Sequence, residues 1–171
     1  LSSGPFQQQI ARNAPELARR PQANAGGILG FDFHLGGPTP QLIEINTNPG
    51  GLLVNLELAR AATAACDCFT EPVSVLAAAG VAIGQLGRRI SDSFLAEWTS
   101  VRGEVPLRTI AIVDDEPQSQ YLYPEFLLYQ RLLERAGWRV VIADATSLEL
   151  RDDAVFLAEE RIDLIYNRVT D

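Results

Sequence analysis

The sequence predicts an α/β protein, and three patterns predict it. From Arg108 onward, runs of buried-strand type alternate with helical stripes. Two short strand patterns, Leu29–His34 and Leu42–Asn46, flank a turn-rich connection, and helical periodicity occupies much of the stretch between residues 53 and 101.

Taken in order, residues 6–20 read as a helix that Pro21 and Gly26-Gly27 bring to an end. Leu29–His34 is the first strand. Leu35-Gly36-Gly37-Pro38-Thr39-Pro40 folds it back against the second strand, Leu42–Asn46, as a hairpin. Leu53–Ala65 reads as a helix, Glu71-Pro72 opens another over Val73–Arg89, and a third covers Asp92–Val101. Arg102-Gly103-Glu104-Val105-Pro106 is a linker or tight turn. Thr109–Val113 is then a buried strand, and Leu122, Phe126, Tyr129 and Leu133 form a helical stripe that Gly137 closes. Arg139–Ala143 is the next strand, Asp152–Arg161 a short helix and Ile162–Tyr166 the last strand.

This β-α-β-α-β succession implies a parallel sheet with right-handed crossovers. The organisation divides at residues 1–70, a hairpin with helices, 71–106, a helical connector, and 107–171, the parallel unit. In such sheets ligands lie beyond the carboxyl ends of the strands. Asp114, Asp115, Glu116 and Gln118 stand at one such end, Asn167 and Arg168 at another.

Composition narrows the classes. With 171 residues, 47% apolar and 21% charged, the chain has enough material for one large or two small cores. A net charge of -8 argues against a nucleic-acid or anionic-membrane surface, both of which need clustered Lys and Arg. The weakly polar stretch Val73–Gly84 is too short to span a bilayer, and no signal peptide is visible, so the expected location is cytoplasmic. There is no Lys and no Met. Absence of Lys removes the phosphate-binding P-loop and Schiff-base chemistry. The chain reads as a piece of a longer polypeptide, beginning at Leu1 and ending directly after a strand pattern. Cys66 and Cys68, with the single His34, cannot assemble a four-ligand zinc site, so packing at a helix end is their expected role.

The hairpin carries the chemistry. Period-two alternation sets Glu44 and Asn46 on one face and Ile43 and Ile45 on the other. The turn between the strands can bring Asp32 onto the polar face, giving three oxygen-bearing side chains of the hard type that suits Mg²⁺. A plain amphipathic hairpin with solvated charges would show the same spacing. The Thr47-Asn48-Pro49-Gly50-Gly51 turn leads into a helix, whose N-terminal N–H groups favour anions. His34 shares the alternation of Asp32 and is expected as outer support or as an exposed residue rather than as a base.

The stretch Gly30-Phe31-Asp32-Phe33-His34, followed by Leu42-Ile43-Glu44-Ile45-Asn46-Thr47-Asn48-Pro49-Gly50-Gly51, resembles the metal-binding end of the ATP-grasp ligases, over about 35 residues. The resemblance implies Asp32, Glu44 and Asn46 as ligands to Mg²⁺ ions that hold ATP phosphates, with Asn48, Gly50 and Gly51 at the acceptor site. Thr109–Asp171 is similar to the family's Rossmann-like pre-ATP-grasp domain, which implies acceptor contacts from Gln118, Gln120, Tyr121 and Arg168. The order is the departure, since the Glu-x-Asn strand precedes that domain here. It resembles the circularly permuted members related to glutathionylspermidine synthetase. The implied reaction activates a carboxylate with ATP as an acyl phosphate, which an amine then attacks. The family's nucleotide-binding lysines and its closing loop are missing, so the chain alone is expected to be inactive.

Two other readings compete. A non-catalytic binding or assembly module would keep the same fold. Ile110–Pro117 also resembles the acidic opening strand of response-regulator receiver domains, but the last strand runs into Asn167 and Arg168 instead of an acceptor Asp, and no Lys is present. A hairpin without a nucleotide lobe would leave an apolar face bare, to be covered either by homodimerisation or by a further lobe, with the surface near Leu52–Leu58 as the expected contact.

Overall fold

The computed structural model describes residues 4–19, 26–65 and 73–170. Its helices are α1 (Gly4–Asn13), α2 (Leu52–Ala65), α3 (Val73–Arg102) and α4 (Tyr123–Arg135). Its strands are β1 (Gly30–His34), β2 (Gln41–Asn46), β3 (Thr109–Asp114), β4 (Arg139–Asp144), β5 (Leu148–Arg151), β6 (Ala154–Leu157), β7 (Glu160–Ile162) and β8 (Leu164–Asn167). The architecture is mixed α/β, as expected. A parallel sheet runs β4-β3-β8, an antiparallel sheet runs β5-β6-β7, and β1-β2 form a separate antiparallel hairpin. Among the described residues, no helix is long and apolar enough to cross a membrane.

Strand β3 organises the core because it is buried along its whole length. Period-two alternation divides its side chains between two layers. Ile110 and Ile112 pack with Leu53 and Leu56 of α2, Ile90, Phe94 and Trp98 of α3, and Phe126, Tyr129 and Leu133 of α4. Ala111 and Val113 pack on the opposite face with Ile162, Leu148, Val155 and Leu157. Leu53 and Leu56 therefore sit inside the helical layer, which corrects the expectation that Leu52–Leu58 forms an open contact surface; only Leu58 of the large apolar residues in that stretch is exposed.

Several elements depart from the pattern-based reading. The first helix ends at Asn13, and a 3-10 turn follows over Glu16–Arg19. Pro15 accounts for the break, since it lacks an N–H and restricts the residue before it. Pro21, Cys66, Cys68 and Glu71-Pro72 lie outside the described residues. The two helices expected over 73–101 are one, α3, because Gly87, Ile90, Ser91, Phe94 and Trp98 form an unbroken buried stripe. Trp98 Nε1 donates to the Val105 carbonyl at 2.5 Å, closing the turn after α3.

The largest correction concerns the expected helix Asp152–Arg161. That segment is the middle of the β5-β6-β7 meander. Asp152 and Asp153 both have positive φ, 47° and 60°, as a two-residue primed hairpin turn requires, and they reverse the chain between β5 and β6. Half-buried Val155 and Leu157 then pack on the Ala111/Val113 face of the parallel sheet, doing the covering that a crossover helix would do. The expected final strand is also divided. Asp163 separates β7 from β8, and its carboxylate accepts from the backbone N–H of Arg108 (2.9 Å) and Thr109 (3.0 Å).

Candidate functional site

In the hairpin, Asp32 pairs across with Glu44 and Gly30 with Asn46. Directly opposed residues share a face, so Asp32 and Glu44 project together, and Asn46, two residues beyond Glu44, projects with them. Asn46 Nδ2 donates to Asp32 Oδ2 at 3.1 Å. That bond uses the amide nitrogen, and the Asn46 side-chain oxygen has no hydrogen bond among the described residues. The register shifts between Asp32 and Phe33, so that Phe33 faces Leu42 and Ile43 is left as the extra residue of a bulge. The bulge sets the cross-strand partners of the apolar residues: Phe31 with Ile45 and Phe33 with Leu42 are the opposed pairs, and all four are exposed. His34 is exposed, and its ring lies over Gly36, where a Cβ would come within 2.6 Å of Nε2. Among the described residues, no group of three or more His, Cys, Asp or Glu side chains is arranged to hold a metal. The hairpin set is two carboxylates and an amide.

The loop after β2 is fixed from beneath by two buried charges. Arg168, just past the carboxyl end of β8, is 5% exposed. Its Nη1 donates to Asn48 Oδ1, to the Pro49 carbonyl (3.1 Å) and to the Tyr166 hydroxyl (3.1 Å). Glu125, in the first turn of α4, is 1% exposed; it accepts from the Gly51 N–H (2.7 Å) and the Leu53 N–H (2.8 Å). These are orphan donors at the start of α2. An internal carboxylate thus occupies the anion position expected at this helix N-terminus, with both oxygens engaged. Gly50 has no room for a side chain, because a Cβ there would overlap Leu122 Cδ1 and lie 3.4 Å from Arg168 Nη2.

Tyr129 is within electrostatic reach of both groups. Its ring packs against Tyr166 at 5.1 Å between centroids, and its buried hydroxyl makes no hydrogen bond within the geometry of an ordinary one among the described residues. Burial pushes the phenol well above its ordinary pKa, and neighbouring Tyr166 and Glu125 add to the rise.

The remaining candidates sit at the carboxyl ends of β3 and β4. Gln118 is exposed in the Pro117–Ser119 turn, and Gln120 Nε2 donates to the Asp115 carbonyl at 2.6 Å. Tyr121 is 95% exposed. Asp144 accepts from Thr146 Oγ1 (2.5 Å), the Thr146 N–H (2.8 Å) and the Glu116 N–H (2.8 Å), and these bonds, led by the Thr146 hydroxyl, hold its carboxyl below the usual range. The structure therefore groups Asp32, Glu44 and Asn46 on the hairpin and Asn48, Gly50, Gly51 and Arg168 around the loop. Gln118, Gln120 and Tyr121 belong to neither group.

Glu125, Tyr129 and Tyr166 were not singled out as site residues by sequence reasoning. Glu125 follows Pro124 in a helix first turn, where an acidic residue needs no further explanation. Tyr129 belongs to the apolar stripe. No protein-family model, curated protein or solved structure matches this chain.

Proposed function

We propose that this chain carries the metal-binding and acceptor-binding portion of a cytoplasmic, Mg²⁺-ATP-dependent carboxylate–amine ligase of the ATP-grasp kind, in permuted order. The observation that carries the reading is the register of Asp32 against Glu44, with Asn46 bonded to Asp32. Like charges directly opposed on a hairpin repel. Neither carboxylate has an ion-pair partner among the described residues, and a divalent cation would relieve that repulsion. Two carboxylates plus an amide oxygen leave further positions for water and phosphate oxygens, as Mg²⁺ prefers.

Arg168 supports the acceptor side. All three acceptors of its buried guanidinium are neutral, and burying an unpaired charge is costly. An anionic substrate group at the carboxyl end of the parallel sheet would offset that cost, in the place where ligands of such sheets bind. When bound, Mg²⁺ would neutralise phosphate charge during transfer of the ATP γ-phosphoryl group to a carboxylate. The amine then displaces phosphate from the acyl phosphate. Asp32, Glu44 and Asn46 would hold the ion; Asn48 and Arg168 would face the acceptor. Lysines for the nucleotide are absent from the sequence, so the adenine and phosphate contacts would come from another lobe.

Isothermal calorimetry with Mg²⁺, in the presence and absence of ATP, tests the reading. Saturable Mg²⁺ binding that is lost in both Asp32→Asn and Glu44→Gln supports it. Binding that survives both substitutions refutes it.

A second reading rests on the opposite face of the same hairpin. Phe31, Phe33, Leu42 and Ile45 expose apolar area that an assembly module would cover. A self-associating chain dispersed by Phe33→Ser, with no Mg²⁺ response, would favour it.

A further inference from the structure

We infer that Arg168 is a positioning residue that sets the geometry of Asn46 and Asp32 through Pro49. The inference rests on the metal reading of the hairpin and adds a control element beneath it. The contacts form a continuous chain. Arg168 Nη1 holds the Pro49 carbonyl at 3.1 Å and the Asn48 side chain. Pro49 leans on Gly30 so closely that a Cβ there would stand 3.0 Å from Pro49 Cβ and 3.3 Å from Asn46 Cβ. Gly30 is the cross-strand partner of Asn46, and Asn46 reaches Asp32 at 3.1 Å. Proline fixes its own φ, and Gly30 offers no side chain to deform, so displacement of the Pro49 carbonyl passes into the end of β2 instead of being absorbed. Glu125 holds the other end of the loop through Gly51 and Leu53, which leaves the loop little freedom to relax around a lost Arg168 contact.

Arg168 lies 120 residues from Asn48, past the final strand of the parallel sheet. A group bound at that end of the sheet would share the guanidinium with the loop. The residue thus links the acceptor end of the α/β unit to the ligands on the hairpin. Groups that orient metal ligands without touching the metal typically change its affinity on the order of 10–100-fold when removed.

The test uses the full chain, with Mn²⁺ as the probe. Mn²⁺ binding is followed by electron paramagnetic resonance, and the Asn46 side-chain amide by ¹⁵N NMR in metal-free protein. Arg168→Gln is expected to shift the Asn46 side-chain signals and to weaken Mn²⁺ binding about tenfold. Asn48→Ala, which leaves Arg168 in place, is expected to do the same to a smaller degree, without adding to Arg168→Gln when the two are combined. Leu133→Ala, a fully buried residue at the opposite end of α4 from Glu125, serves as a control for general destabilisation and should leave both readouts in place. Unchanged Asn46 signals and unchanged Mn²⁺ affinity in Arg168→Gln, with only a lower melting temperature, would overturn the inference. If the unsubstituted protein binds no Mn²⁺, the metal reading fails by itself, and the Asn46 signals alone decide whether Arg168 positions the strand.

Discussion

Asp32 on β1 and Glu44 on β2 are cross-strand partners, two like charges held directly opposite each other on the polar face of a two-stranded hairpin. Isolated hairpins are marginally stable, and opposed like charges weaken them further. This hairpin is secured by the loop that follows it, which Arg168 and Glu125 tie to the parallel sheet and to α4.

Glu125→Gln should destabilise the fold by about 1–3 kcal/mol, because one acceptor of the α2 N-terminus is replaced by a donor that faces another donor. Urea unfolding monitored by circular dichroism measures the loss. A change within error would mean that the Gly51 and Leu53 N–H groups find other acceptors.

Gly50→Ala should cost about 1–3 kcal/mol, since its Cβ meets Leu122 Cδ1 in a packed layer. The cause is local, so Leu122→Ala introduced into Gly50→Ala should be less harmful than in the parent chain. Simple additivity of the two losses in thermal melts would argue against that contact.

Ala158 lies at φ 52°, a region that costs an L-residue roughly 1–2 kcal/mol. Ala158→Gly should therefore stabilise the protein by about 0.5–1 kcal/mol after the extra chain entropy of Gly is set against the relief. A lowered midpoint in chemical denaturation would contradict a left-handed Ala158 in the β6–β7 turn.

Asp144 titrates below the usual aspartate range because its charged form accepts from Thr146 and from the Glu116 N–H. A carboxyl whose folded pKa is depressed contributes stability that is complete above its unfolded pKa and is lost as pH falls through the folded value. Thr146→Ala should raise the Asp144 inflection in a ¹³C-detected carboxyl titration toward the ordinary value. Its effect on stability should be present at neutral pH and vanish in acid. An unmoved inflection would show that the Thr146 hydroxyl is not the cause.

How much of this was legible in sequence follows from the range of each interaction. Period two is local, so the shared face of Glu44 and Asn46 could be read directly, and the turn residues between the strands made Asp32 their natural neighbour. The bulge that leaves Ile43 unpaired depends on both strands at once and gave no sign. Polar residues cluster from Arg88 to Ser93, yet the buried stripe through Ile90 and Ser91 keeps α3 continuous across the boundary expected between Arg89 and Asp92. Asp152–Arg161 has helical composition, but its fold is decided by two consecutive positive-φ residues and by the open face of β3. Glu125 and Arg168 act on a loop 74 and 120 residues away in sequence. Only the assembled fold reveals that Glu125 satisfies a helix end and that Arg168 holds the loop after Asn46.

Mn²⁺-induced relaxation of water protons, titrated against the full chain and against Glu44→Gln, tests whether the Asp32–Glu44 pair holds a divalent cation. Saturable enhancement is expected in the parent protein, competed by Mg²⁺ and abolished by Glu44→Gln while the fold is retained. Enhancement that is absent from the parent, or that persists undiminished in Glu44→Gln, would contradict it.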